Sequence, residues 1–164
     1  MSRVTQHLKS HGVPFESIAH EQTYTSIAEA STLGIDAHEV LKTVAVRVEG
    51  GYVLTVVPAA RRLDLHRVRA AVGDRHARLA TEAELQRDFP DVELGALPPL
   101  ASLAGGRLYV DPAVLEHETV VFAAGSRTES VKLRAADLVR FQQGQVTTAP
   151  LTWQPDEDDK EWLP

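Results

Sequence analysis

Between Leu41 and Pro58 the chain reads LKTVAVRVEGGYVLTVVP, with apolar and polar positions alternating up to a glycine pair. A period of two is that of a β-strand, so residues 43–57 are predicted to form a hairpin. Gly50-Gly51 supplies the positive φ that a two-residue turn needs, and Pro58 ends the second strand. Lys42 has the parity of Val44, Val46 and Val48, whereas Thr43, Ala45, Arg47 and Glu49 take the other. An ammonium is therefore expected at the end of an apolar stripe.

Elsewhere the pattern turns helical. Val4 and Leu8 are spaced for a helix over residues 2–11 that stops at Gly12, and residues 14–20 (PFESIAH) read as a short strand. Residues 26–33 (SIAEASTL) are predicted helical and close at Gly34, after which Asp36 caps a short turn. Residues 64–72 form a capped helix stopped by Gly73, and Thr81 with Glu84 has the spacing of a capping box. Three prolines and three glycines make residues 90–106 a shaped loop. Strands are expected at RLYVD, TVVFAAG and SVKL, and a helix over residues 135–141. Helices and strands interleave without a βαβ rhythm, so the class is α+β, a mixed sheet with helices packed outside it.

Length allows one domain, residues 1–150, followed by a tail, residues 151–164, in which Trp153 and Trp162 suggest partial docking. The absence of cysteine removes thiol nucleophiles, thiolate metal sites and disulfides. No segment has the length of a signal-peptide core or a membrane span, which predicts a cytoplasmic protein with no membrane partner. The net charge is −6, but residues 155–164 hold five acids and one lysine, leaving 16 basic and 18 acidic side chains in the body. Within that body Arg61, Arg62, Arg67, Arg69, Arg75 and Arg78 crowd into 18 residues, either a phosphate-facing patch or a solvated helix face.

Familiar catalytic patterns are missing. His20, His38 and His117 each precede glutamate, but none has the second histidine of HExxH, and no metal site is expected. Ser126 in AAGSRT is not in a nucleophile elbow, and no phosphate-binding glycine loop occurs. Lys42, the loop of Gly95, Ala96, Leu97, Pro98 and Pro99, and the turn of Gly125 and Ser126 remain. A rigid loop can aim backbone N–H groups at a developing oxyanion, and a lysine at an apolar mouth offers a point charge to a carbonyl or phosphate. A lysine that snorkels into water and a loop that is only a turn fit the same residues.

At these positions, over residues 5–141, the chain resembles the YbaK/prolyl-tRNA synthetase-associated domain family of free-standing or synthetase-linked aminoacyl-tRNA deacylases. The resemblance rests on VLKTVAVR with Lys42, on GALPP as GxxxP, on LYVDPAVLEHETVVFAAGS and on KLRAADLVR, in that order. It implies a mixed, partly barrel-like sheet ringed by helices. It implies hydrolysis of the ester between a wrongly attached amino acid and the 3′ end of tRNA, with no cofactor, no metal and no covalent nucleophile, a substrate ribose hydroxyl helping to activate water. Carried over, Lys42 and Gly95 are the catalytic positions, Lys42 binding the terminal adenosine and phosphate or carbonyl region. Thr25, Thr43, Ala96, Leu97, Pro98, Pro99, Gly125, Ser126 and Arg127 surround the substrate. Independently of the resemblance, Arg61, Arg62, Arg67 and Arg69 of the basic cluster are the residues expected to meet a tRNA backbone. Many relatives have a histidine where this chain has Arg127, and Phe-Gly where it has Leu100-Ala101.

The expected activity is that of a trans-acting deacylase for a small or hydroxylated amino acid, such as Ser, Thr, Ala or Cys, with aminoacylated tRNA and a synthetase as partners. The alternatives are a non-catalytic module that binds a tRNA end, and a hydrolase or transferase for another small acyl compound.

Overall fold

The computed structural model describes residues 2–153. Its helices are α1 (Arg3–Ser10), α2 (Ser26–Leu33), α3 (Leu65–Val72), α4 (Glu82–Asp88) and α5 (Ala135–Arg140). Its strands are β1 (Glu16–Ala19), β2 (Leu41–Val48), β3 (Gly51–Pro58), β4 (Arg78–Leu79), β5 (Leu108–Val110), β6 (Thr119–Ala123), β7 (Glu129–Arg134) and β8 (Val146–Thr148). Local chemistry sets most boundaries. The Thr25 side chain accepts from the Ala28 N–H to start α2, and Gly34 ends it in the left-handed region. Thr81 and Glu84 close the expected capping box on α4.

The strands form two sheets. One has the order β4-β2-β3-β5-β8 and the other β1-β7-β6. The β2–β3 hairpin pairs Leu41 with Pro58 and Val48 with Gly51, two residues longer at its open end than the pattern predicted. Beyond it β5 and β8 run parallel to β3, a pairing that periodicity does not disclose. The sheets meet where Val40 forms a parallel bridge with Val121 of β6, and they then splay apart instead of closing into a barrel.

Both faces of β2 are covered, for different reasons. Leu41 and Ala45 join the main core with Leu54, Val56, Leu108, Phe122, Val131 and Leu138. Val46 and Val48 face α3 through Val53, Val57, Val68 and Leu151. Each fully buried Val or Leu of this kind contributes about 1.5–3 kcal/mol of transfer free energy. A third cluster of Ala30, Val40, Ala59 and Val121 fastens α2 over the junction between the sheets.

Leu151 and Thr152 are fully buried, and Trp153 donates its N–H to the Arg62 carbonyl, so ordered packing continues past residue 150. The acidic stretch and the docking expected of Trp162 lie outside the described residues. The anchor is Asp111, itself buried, whose Oδ2 accepts from the N–H groups of Leu151 and Thr152 and from Thr152 Oγ1, while Oδ1 accepts from the Ala113 N–H. Asp111→Ala strands these buried donors and is expected to cost about 3 kcal/mol in urea unfolding. A loss under 1 kcal/mol would show that the anchor is dispensable.

Candidate active site

The β2 edge facing away from β3 is paired at both ends and open between them. Val40 bridges to β6, while Val46 and Arg47 pair with Leu79 and Arg78 of β4, and the Ala80 N–H donates to the Ala45 carbonyl. By strand alternation the backbone groups of Thr43 aim at the same edge as those of Ala45. A cleft of about 300 Å³ occupies the gap, lined by Leu41, Lys42, Thr43, Val44 and Ala45 together with residues of α2, β4, α4, β6 and the proline loop. Because it opens along an edge, residues of both parities reach it. Of the stripe that Lys42 shares with Val44, Val46 and Val48, Lys42 and Val44 line the cleft, whereas Val46 and Val48 continue under α3.

Lys42 is half-buried, and burial holds its ammonium below the ordinary lysine range. Among the described residues no carboxylate or carbonyl pairs with it. It is the one charged side chain lining the cleft, whose polar lining otherwise consists of Tyr24, Thr25, Ser26 and Thr43. Thr25 and Ser26 bring the N-terminus of α2 there. The Ala28 and Glu29 N–H groups are taken by Thr25, which leaves those of Ser26 and Ile27 without an intrahelical partner. A half-buried ammonium and a helix N-terminus make the cleft attractive to an oxyanion or a polarised carbonyl.

The proline loop forms the opposite wall through Gly95 and Leu97. Gly95 has φ +82°, and a Cβ built there would lie 2.5 Å from the Tyr24 carbonyl oxygen, so no other residue fits without moving the Tyr24 backbone. Behind the loop Ala96 and Pro99 are buried, the Gly125 N–H donates to the Ala96 carbonyl, and Gln142, itself buried, donates to the Pro99 carbonyl and accepts from the Ala101 N–H. Sequence reasoning missed Gln142, Tyr24 and Leu79, since none lies in a motif, and Ala123, which lies in one but carries no polar group to mark it.

Other expected residues are elsewhere. Gly125, Ser126 and Pro98 line a separate cleft of about 390 Å³ against α1. Arg127 does not line the Lys42 cleft. Its Nε donates to the Leu94 carbonyl, its backbone N–H to Glu93, and its guanidinium stacks 4.8 Å from the Tyr24 ring centroid. Arg67 is 3.5 Å from Asp64, and Arg69 donates to the Ala77 carbonyl, both arginines standing on α3. Arg61 and Arg62 follow Pro58, the partner of Leu41, and so stand at the Lys42 end of the hairpin. A larger groove of about 850 Å³, lined by His66, Arg69, Arg75 and Arg107, lies at the other end, where the Asp74 carboxylate accepts from the Glu49 and His76 N–H groups.

Residues 20–141 match the aminoacyl-tRNA editing domain. The chain belongs to that family. Among its relatives, the multifunctional Ser/Thr-tRNA deacylase ProXp-y of Escherichia coli (strain K12) is 28% identical over 141 residues, covering 83% of this chain and 84% of the relative. The uncharacterized protein YwhH of Bacillus subtilis (strain 168) is 25% identical over 118 residues, covering 71% and 74%. A solved structure described as a candidate trans-editing enzyme for prolyl-tRNA synthetase superposes with TM-score 0.79 at 22% identity, over 93% of this chain and 96% of that one. A hypothetical protein gives TM-score 0.81 at 23% identity, over 92% and 99%. These two establish the fold of the editing domain here, and the Lys42 cleft lies inside the matched residues.

Two outcomes follow for the editing domain. Gly95→Ala is expected to cost about 1–3 kcal/mol, the scale of a non-glycine residue in a strained region, and to displace Tyr24; unchanged thermal unfolding would refute the close approach. Since burial lowers the Lys42 pKa, the folded state disfavours the charged form, a penalty present at neutral pH and relieved as pH rises toward 10.5. Lys42→Met is therefore expected to raise the unfolding midpoint at pH 7, with the gain shrinking at alkaline pH. A lower midpoint would mark Lys42 as a structural residue.

Proposed function

We propose that this protein is a trans-acting deacylase that hydrolyses the ester of tRNA mischarged with a small hydroxylated amino acid, serine or threonine. The observation that carries the reading is the cleft itself: an amino-acid-sized hollow with one unpaired, half-buried ammonium and no carboxylate or imidazole among its lining residues. Such a site can hold and polarise an ester but offers no side-chain base.

Catalysis then rests on position and field. The aminoacyl group enters between β2 and Gly95, and Lys42 with the α2 N-terminus stabilises negative charge on the carbonyl oxygen. Water adds to the carbonyl carbon with the neighbouring ribose hydroxyl of the substrate orienting it. The bond from carbonyl carbon to ribose oxygen breaks, the ribose oxygen takes one of the water's protons, and the amino acid leaves as its carboxylate with the other proton released to solvent. Arg61 and Arg62 lie where the tRNA backbone would approach the Lys42 end of the hairpin. A synthetase that makes the error is the partner whose product this chemistry clears.

Thr43 supports the choice of amino acid. Its Oγ1 is buried with no hydrogen-bond partner, and a buried polar group left unpaired costs about 1–3 kcal/mol. A serine or threonine hydroxyl in the cleft would supply the missing partner, which fits the Ser/Thr activity in the name of the Escherichia coli relative.

The experiment is deacylation of a panel of mischarged tRNAs. Lys42→Ala is expected to abolish turnover, with wild-type activity falling as pH rises through a lysine pKa below 10.5. Thr43→Val is expected to lower kcat/KM for seryl- and threonyl-tRNA by about 5- to 100-fold, while alanyl-tRNA changes little. Binding of charged tRNA without ester loss would convert the reading to a binding module, and equal losses on all three substrates would remove Thr43 from specificity.

A further inference from the structure

Tyr24, Ile27 and Leu79 are the exposed large apolar residues around the Lys42 cleft, at 62%, 53% and 49% exposure. Tyr24 and Leu79 line its mouth, and Ile27 stands on the first turn of α2, three residues from Tyr24. Exposure does not make Tyr24 loose. Its carbonyl packs on Gly95, the preceding Thr23 N–H donates to the Arg127 carbonyl, and the following Thr25 caps α2. The Arg127 guanidinium, tethered to the Leu94 carbonyl, lies against the ring. An aromatic ring is thus held in place, braced by a cation and left open to solvent, on the cleft that Leu79 also lines.

We propose that Tyr24, braced by Arg127 on the cleft that Leu79 also lines, is a stacking platform for the 3′-terminal nucleobase of the aminoacylated tRNA. This rests on the deacylase reading. The argument is one of connectivity. The scissile ester joins the amino acid to the terminal ribose, so an aminoacyl group seated beside Lys42 and Thr43 puts that ribose at the mouth. The base attached to the same ribose must then lie on the rim, where Tyr24 and Leu79 are. A nucleobase offers a flat π-face, and stacking on an aromatic side chain is tolerant of base identity. The guanidinium beside the ring adds the positive character that such platforms combine with stacking.

The test uses an uncharged acceptor-stem RNA with 2-aminopurine as its 3′-terminal base, and a second RNA ending in an abasic ribose. Wild-type protein is expected to quench 2-aminopurine fluorescence on binding, Tyr24→Phe to retain the quench, and Tyr24→Ala to lose it and bind about 5- to 100-fold more weakly. On the abasic RNA wild type and Tyr24→Ala are expected to bind alike, because removing the base and removing the ring delete one interaction. Additive losses would mean that Tyr24 acts on the fold and would overturn the platform, as would wild-type quenching by Tyr24→Ala. If Tyr24→Ala instead dissociates a self-associated species in sedimentation, the patch is a contact between copies and the proposal fails. Deacylation measured in parallel separates the two readings: turnover without Tyr24-dependent quenching overturns the platform alone, whereas quenching without turnover on any mischarged tRNA overturns the deacylase reading alone.

Discussion

A strand edge left unpaired over a few residues is the constraint on which this site depends. β2 bonds β3 along one side, while on the other it is bridged at Val40 by β6 and at Val46 and Arg47 by β4. β4 belongs to the same sheet as β2 and β6 to the other, and the edge between their two contacts stays open. Filling the gap with a further strand would remove the cleft. Leaving it wider would expose the core residues Leu41 and Ala45 to water. The open length is set by where the bridges fall, and Lys42 stands inside it.

The opposite wall is held by a seam of backbone contacts. Tyr24 packs on Gly95, Gly125 bonds Ala96, Arg127 bonds Leu94, and Gln142 bonds Pro99 and Ala101 at the C-terminal end of the proline pair. Such a wall needs little reorganisation when a substrate arrives, which is what catalysis by fixed dipoles and one charge requires. The ammonium pays for this placement through lost hydration, visible as its lowered pKa. A charge held in an apolar cleft with no partner among the described residues is what the proposed deacylase would use to bind its ester.

How much of this is readable along the chain depends on how local each cause is. α2 follows from Thr25 and Gly34, the hairpin from alternation around Gly50-Gly51, and α4 from Thr81 and Glu84, all within a few residues. The two-residue β4 and the parallel partners β5 and β8 have no period long enough to read, and only contact with β2 and β3 makes them strands. The resemblance names the loop and Lys42 together, and parity places Lys42 at the end of an apolar stripe; that Leu41, Thr43 and Ala45 of the other parity also reach the cleft follows from the open edge, which no local pattern shows. Arg127 was expected at the substrate from its position after Gly125-Ser126. Only the folded loop shows its guanidinium committed to Leu94 and Tyr24.

The most direct test of the account is NMR of protein carrying ¹³C at the lysine side chains, titrated with a non-hydrolysable seryl-amide of adenosine. Of the four lysines, Lys9, Lys42, Lys132 and Lys160, only Lys42 is expected to shift, with its deprotonation midpoint moving upward in the complex as the ligand carbonyl engages the ammonium, and with the Thr43 and Gly95 amides perturbed beside it. Saturable binding that leaves Lys42 unmoved and perturbs the groove of Arg69 and Arg75 would contradict the open β2 edge as the site.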